Sequence, residues 1–259
     1  MIHIEPITAF SDNYIWAISN TEKKYYTIVD PGHAAPVLDF LHKRNAQLTD
    51  ILITHHHSDH IGGINHLLKA FPEANVYTPA EENIPFSTQT LHDNDTVHIE
   101  SLNINFRVMF IPGHTAGHIA YYRDNTLFCG DTLFAAGCGR VFDGTHTSLY
   151  HSLQKIAKLP PETLIYCAHE YTLDNIGFAL WVEPNRLELL QRQANTYKQM
   201  DNNEPSIPST LATELATNPF LRTHLPHIIE LAERHLKKEV TPGYEVFKML
   251  RDWKDKKYD

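Results

Sequence analysis

The reading of the chain turns on residues 51–63, Ile51-Leu52-Ile53-Thr54-His55-His56-His57-Ser58-Asp59-His60-Ile61-Gly62-Gly63. Its apolar, β-branched start reads as the end of a strand, and the residues from His60 onward take up a helical period, so a strand runs into a loop that opens a helix. Along an extended backbone His55 and His57 point to one side, while Asp59 and His60 turn towards another. Imidazoles and a carboxylate packed into six residues offer the nitrogen and oxygen donors that Zn²⁺ or Fe²⁺ prefer. A lone histidine is more often a surface or satisfied core residue. That plain reading weakens when four donors crowd one turn.

Further donors follow later strands. His114 lies in the Gly-flanked loop Pro112-Gly113-His114-Thr115-Ala116-Gly117-His118, Asp131 follows Leu127-Phe128-Cys129-Gly130, and His169 follows Leu164-Ile165-Tyr166-Cys167-Ala168. A strand end is a common place for a catalytic side chain, although an aspartate there is equally often a helix N-cap, and Asp131 alone supports either reading.

Working outward, residues 1–10, 13–19, 25–30, 49–54, 96–111, 117–122, 125–130 and 163–167 read as strands, interrupted by helix-period stretches at 34–44, 60–71 and 147–158. From about residue 171 the β signature ends, and runs near 185–200, 209–217, 227–238 and 242–255 carry helical periodicity. We therefore expect an α/β part over 1–170 and a small helical domain over 171–259.

The 259 residues suffice for a core without disulfide staples, and 31 acidic against 22 basic side chains, a net charge of −9, argue against nucleic acid or an anionic membrane as partner. No apolar run reaches the roughly 20 residues a bilayer requires, and the first ten residues lack the features of a secretory leader. Three widely spaced cysteines, Cys129, Cys138 and Cys167, fit reduced thiols, so a cytoplasmic location is expected. Oligomeric state has no sequence signal, and a monomer is the default expectation. Histidine is in excess, 18 residues, which favours metal chemistry.

The motifs THHHSDH, PGHTAGH, GDTLF and AHE resemble, in order, the metal-ligand motifs of the metallo-β-lactamase superfamily. The resemblance covers roughly residues 1–170 and implies a four-layer αββα sandwich with two divalent metal ions at one edge. It assigns His55, His57 and His114 to one ion, Asp59, His60 and His169 to the other, and Asp131 to both. Gly137-Cys138-Gly139-Arg140, His169-Glu170-Tyr171-Thr172, Asn218-Pro219-Phe220-Leu221-Arg222 and Arg251-x-x-Lys254 are similar to the glyoxalase II family of hydroxyacylglutathione hydrolases and extend the resemblance over the whole chain. It implies hydrolysis of the thioester S-D-lactoylglutathione to D-lactate and glutathione, the second step of methylglyoxal detoxification, by a hydroxide bridging the ions. Zn²⁺ is the expected metal, with Fe²⁺ or Mn²⁺ also compatible with the donors.

By the same resemblance Asp59 and Asp131 act in catalysis, by orienting the nucleophile and spacing the ions, and Arg140, Tyr171, Arg251 and Lys254 contact the tripeptide. The family often carries Tyr two residues beyond its basic residue; this chain has Phe142, which lacks the hydroxyl. Residues 248–257 carry a local excess of three positive charges, which suits a small anion or, equally, an ordinary solvated helix end. The cysteines are assigned to packing, since none has an adjacent activating partner. The competing reading is a glutathione persulfide dioxygenase with mononuclear iron, whose expected weakness is the long helical C-terminal segment.

Overall fold

Alternation along Asn13–Ser19 sets the layering, because every residue of this strand is buried. Tyr14, Trp16 and Ile18 enter one hydrophobic cluster, and Ile15 and Ala17 enter another on the opposite face. A strand buried on both faces belongs to a sheet covered on both sides. Helices pack on one side and a second sheet on the other. The structure is a computed structural model and describes residues 2–258; Met1 and Asp259, the outer limits of the two expected segments, lie outside the described residues.

The first sheet has the order β1 (His3–Ala9), β2 (Asn13–Ser19), β3 (Tyr25–Val29), β4 (Gln47–Leu52), β5 (Asn75–Pro79), β6 (Gln89–Leu91), antiparallel up to β3 and parallel beyond it. Helices α1 (Ala34–Lys43), α2 (Ser58–Ile61) and α3 (Ile64–Ala70) connect β3 to β4 and β4 to β5. Val37, Leu41, Ile64 and Leu67 of α1 and α3 pack against Ile28, Ile51 and Ile53 to form the outer core.

The second sheet is built from β7 (Thr96–Ile99), β8 (Ile104–Phe110), β9 (Ile119–Arg123) and β10 (Thr126–Gly130), to which β13 (Leu164–Cys167) adds parallel to β10 and β14 (Ser209–Thr210) antiparallel to β13. Between β10 and β13 come the hairpin β11 (Leu133–Phe134) and β12 (Gly137–Cys138) and helix α4 (His146–Ile156). Val97, Phe106, Val108 and Phe128 of this sheet meet Trp16, Ile18 and Leu52 of the first. The expected αββα sandwich is the observed fold.

Helices α5 (Thr172–Val182), α6 (Leu187–Asp201), α7 (Leu211–Thr217), α8 (Pro226–Leu236) and α9 (Tyr244–Trp253) follow, and α9 runs on into a π-helical turn over Lys254–Tyr258. Phe178 of α5, Phe220 of the 3₁₀ turn Pro219–Leu221, and Phe247 and Leu250 of α9 continue the inter-sheet cluster, so the helical segment shares its core with the sandwich.

The sequence expectations need four local corrections. The 60–71 helix is two, α2 and α3, parted at Gly62-Gly63, and the 96–111 strand is two, parted by a 3₁₀ turn at Glu100–Leu102 that ends on Asn103 at φ 52°. The β structure does not end at residue 171, since β14 pairs with β13. Helix α5 and strands β5 and β6 carried no expectation. No helix of the described residues is long and apolar enough to cross a membrane.

Candidate metal centre and adjoining cavity

All seven donors expected from the sequence converge at one edge of the sandwich. Leu52 ends β4 and delivers the 54–60 loop, while β10 and β13 run parallel and so deliver Asp131 and His169 at the same end. Gly130, at φ +48°, makes the approach possible: a Cβ there would collide with the Thr54 hydroxyl and lie 2.8 Å from His118 Nε2. Asp131 is therefore not a helix cap here but a buried carboxylate among imidazoles.

Ring nitrogens of His55, His57 and His114 form one tight group, with His55 Nε2 3.1 Å and His114 Nε2 3.0 Å from His57 Nδ1. On the other side His169 Nε2 and His60 Nε2 lie 3.4 and 3.5 Å from Asp59 Oδ2. Asp131 stands between the groups, its Oδ2 3.4 Å from His114 Nε2 and 3.3 Å from His169 Nε2, its Oδ1 3.5 Å from His60 Nε2. His55 also falls within reach of a set with His60 and Asp131.

The outward nitrogens are held from behind. Asp12 Oδ1 accepts from His169 Nδ1 at 2.7 Å, and the Arg140 carbonyl accepts from His114 Nδ1 at 2.8 Å. The Thr54 hydroxyl donates to Asp30 Oδ2 at 2.7 Å, which leaves its lone pairs for His55 Nδ1–H at 3.0 Å. These partners fix the tautomers so that Nε2 of His55, His114 and His169 presents its lone pair to the site. Asn13 Nδ2 donates to Asp59 Oδ2 at 3.1 Å. Asp131 N–H donates to Nε2 of the buried His118 at 3.2 Å, and the His118 ring stacks on His55.

Burial pushes His55 well below the ordinary imidazole value, and burial plus neighbouring imidazoles brings His57 to about 4. Both are neutral at pH 7, as cation binding requires. Burial also acts on Asp131 and His60, but mutual attraction outweighs it: the imidazoles of His60 and His169 hold Asp131 well below the carboxylate range, and Asp131 with Asp30 holds His60 well above its own.

The donors fit a divalent cation. The imidazole separations approach those of nitrogens sharing one ion at about 2.0–2.1 Å each. The buried atoms His60 Nε2 and Asp131 Oδ1 have no hydrogen-bond partner. Orphaned buried polar atoms facing one another are costly unless something fills the space between them.

A cavity of about 550 Å³ opens from the donors. Phe134, Phe142 and Tyr171 line it with their rings against donor imidazoles, and Arg140, Arg251, Lys254 and Asp174 also line it. Tyr171 stacks on His169 at 4.8 Å, and Phe142 sets its edge against His57 and His114 at 5.0 and 5.1 Å. The four expected substrate residues thus share one cavity. The basic excess of 248–257 is largely paired: Lys248 and Lys256 with Asp252, Arg251 with Asp255, and Lys254 with Asp174 at 3.0 Å.

The sequence reading assigned no role to Asp12, Asn13, Asp30, Thr54, His118 or Asp174. Asp30 and Asp12 had a usable signal, each being an aspartate at a strand boundary; the contacts of the others are tertiary.

Stacked sheets with facing donor groups at one edge define the metallo-beta-lactamase class, and residues 11–169 match the model of the metallo-beta-lactamase superfamily. A B3 metallo-beta-lactamase, BLEG-1, superposes with a TM-score of 0.63 at 23% identity, covering 85% of this chain and 99% of that one. ETHE1 from Myxococcus xanthus gives 0.65 at 22%, covering 96% and 97%. At such identities these likenesses establish the fold alone.

Residues 170–257 match the model of the hydroxyacylglutathione hydrolase C-terminus. Hydroxyacylglutathione hydrolases of Nitrosomonas europaea and Pseudomonas fluorescens are 48% and 46% identical, the first over 98% of this chain and 96% of its own length, the second over 99% and 100%. The chain belongs to the hydroxyacylglutathione hydrolase family.

Proposed function

We propose that the chain hydrolyses S-D-lactoylglutathione and related 2-hydroxyacylglutathiones to the hydroxy acid and glutathione. The protein is a thioester hydrolase, as its full-length relatives at 46–49% identity are named. The observation that carries the mechanism is the placement of Asp131 between two donor groups in the wall of a cavity that Arg140, Arg251 and Lys254 also line.

In this reading His55, His57 and His114 would hold one ion, Asp59, His60 and His169 would hold a second, and Asp131 would serve both. Zn²⁺ suits the donors best, and Fe²⁺ or Mn²⁺ is compatible. Bound divalent ions supply a nucleophile at neutral pH and polarise a carbonyl oxygen. The protein's part is geometric. Asp131 sets the spacing, Asn13 turns Asp59, and Asp12 and the Arg140 carbonyl hold His169 and His114 in register. Arg140, Tyr171, Arg251 and Lys254 orient the tripeptide so that the thioester carbonyl faces the donors. Water's oxygen bonds to the acyl carbon as the C–S bond breaks, and of its two protons one passes to solvent and one to the departing glutathione sulfur, leaving the hydroxy acid as its carboxylate.

Residues 1–170 then carry the chemistry, and 171–259, with Arg140 from the first part, the substrate grip. No cysteine is needed: burial pushes the Cys138 thiol up to about 11. Buried free thiols fit a cytoplasmic compartment, the acidic balance fits a small molecule rather than nucleic acid as partner, and a monomer is kept as the default.

The test is free-thiol release from S-D-lactoylglutathione, with metal content measured on the same sample. Turnover that rises with metal loading is expected. Absence of thiol release at full loading overturns the reading.

A further inference from the structure

Glu82 lies in the connection between β5 and β6, which supplies none of the seven donors. Its side chain is 3% exposed, a costly place for a carboxylate without partners. Its two oxygens reach two different loops. Oε2 lies 3.0 Å from His56 Nδ1, and Oε1 accepts from the Thr115 hydroxyl. His56 sits between His55 and His57, and Thr115 follows His114. One carboxylate thus spans the two loops that supply the three clustered imidazole nitrogens. Gly117 closes over it, since a Cβ there would collide with Glu82 Cγ.

We propose that Glu82 is a positioning residue that ties the 54–60 loop to the 113–118 loop and so presets His57 and His114 for capturing a divalent cation, without ligating it. The inference rests on the reading of His55, His57 and His114 as ligands. His55 is fully buried and held by Thr54, but His57 is half-buried and lies on the cavity wall, its ring set against the rings of His55, His56, His114 and Phe142. The loop carrying His57 therefore depends on its other contacts to stay in register with His114. A third segment that bonds both loops supplies that register before any ion arrives, so less ordering remains to oppose binding.

The experiment uses the full chain stripped of metal, with Zn²⁺ affinity read by chelator competition, the absorption bands of the Co²⁺-loaded protein as a report on ligand geometry, and thermal unfolding of the metal-free form as a fold control. Glu82→Ala is expected to weaken Zn²⁺ binding by about ten- to a hundredfold and to alter the Co²⁺ bands. Glu82→Gln keeps one acceptor and gains one donor, so it restores both to within about threefold of wild type. Thr115→Val cuts one arm and gives an intermediate loss, and it answers the question if Glu82→Ala does not fold. Wild-type affinity in Glu82→Ala, or in Thr115→Val where that stands in, overturns the proposal, as does Glu82→Gln as weak as Glu82→Ala. His57→Ala separates the two levels: if it leaves affinity unchanged, the ligand reading itself falls, whereas a loss there with none in Glu82→Ala sinks the tie alone.

Discussion

Arg251 Nη1 donates to the carbonyl oxygen of Cys138 at 2.9 Å, fastening α9 to the hairpin that follows Asp131. The guanidinium is 1% exposed, and its Nε and Nη2 both donate to Asp255. A residue implied to grip substrate therefore also supports the cavity wall. Arg251→Ala should lower stability by about 1.5–3 kcal/mol, the range for a hydrogen bond to a charged group. Denaturant midpoints check this; an unchanged midpoint shows that the contact with Cys138 contributes nothing net.

Lys254 is the cleaner probe of recognition. If its contact is equal in ground and transition states, Lys254→Ala raises KM on the glutathione thioester with kcat nearly constant, and a thioester lacking the tripeptide is indifferent. The expected loss in kcat/KM is about tenfold, the low end for a charge-assisted contact, because Asp174 already shares the ammonium. Equal losses on both substrates assign Lys254 to folding instead. Asp174→Asn removes that competition and should lower KM by up to about fivefold.

Asp131→Ala removes the carboxylate placed between both donor groups. Metal content and turnover should fall together, and two ions per chain with near-normal turnover place the shared ligand elsewhere.

Cys138→Ser should retain turnover, since no covalent intermediate is involved; total loss in a folded, metal-loaded variant makes the thiol a reactant. The wild-type thiol also predicts a pH effect. Burial raises it from 9.0 to about 11, so between these values the unfolded chain sheds its proton first and stability falls as pH rises. Serine does not titrate, so the Cys138→Ser curve should be shallower over that window, by no more than roughly 3 kcal/mol at its upper end. Parallel curves for the two proteins refute the assignment.

What the sequence makes legible follows from how each element is buried. Strand β2 declares itself through β-branched and aromatic residues, and the donors through side-chain type. Helix α5 does not: Ile176, Phe178, Ala179 and Val182 are buried along with Thr172 and Asn175, so apolar and polar residues follow no clean helical stripe. Strands β5 and β6 are short, the first ending on Pro79. The seven donors are legible while most of their supports are not, because Asn13 and Glu82 gain meaning only through residues distant in sequence, and Asp12 and Asp30 signal no more than a strand boundary. Arg251 was legible as a cation; its burial was not, since the Cys138 carbonyl lies 113 positions away.

The bond from Asp12 to His169 spans 157 positions, and Tyr14 N–H reaches the Ala168 carbonyl beside it. Closing so long a loop is slow and gains nothing until both sheets have formed and met. A divalent ion held there is therefore not expected to template this fold as zinc does in a small zinc domain. Refolding with a chelator present should regain the stacked sheets at the same rate as refolding with zinc, and metal should load afterwards. On that expectation chemistry comes last in the order of assembly: the architecture is finished before the donors take up metal.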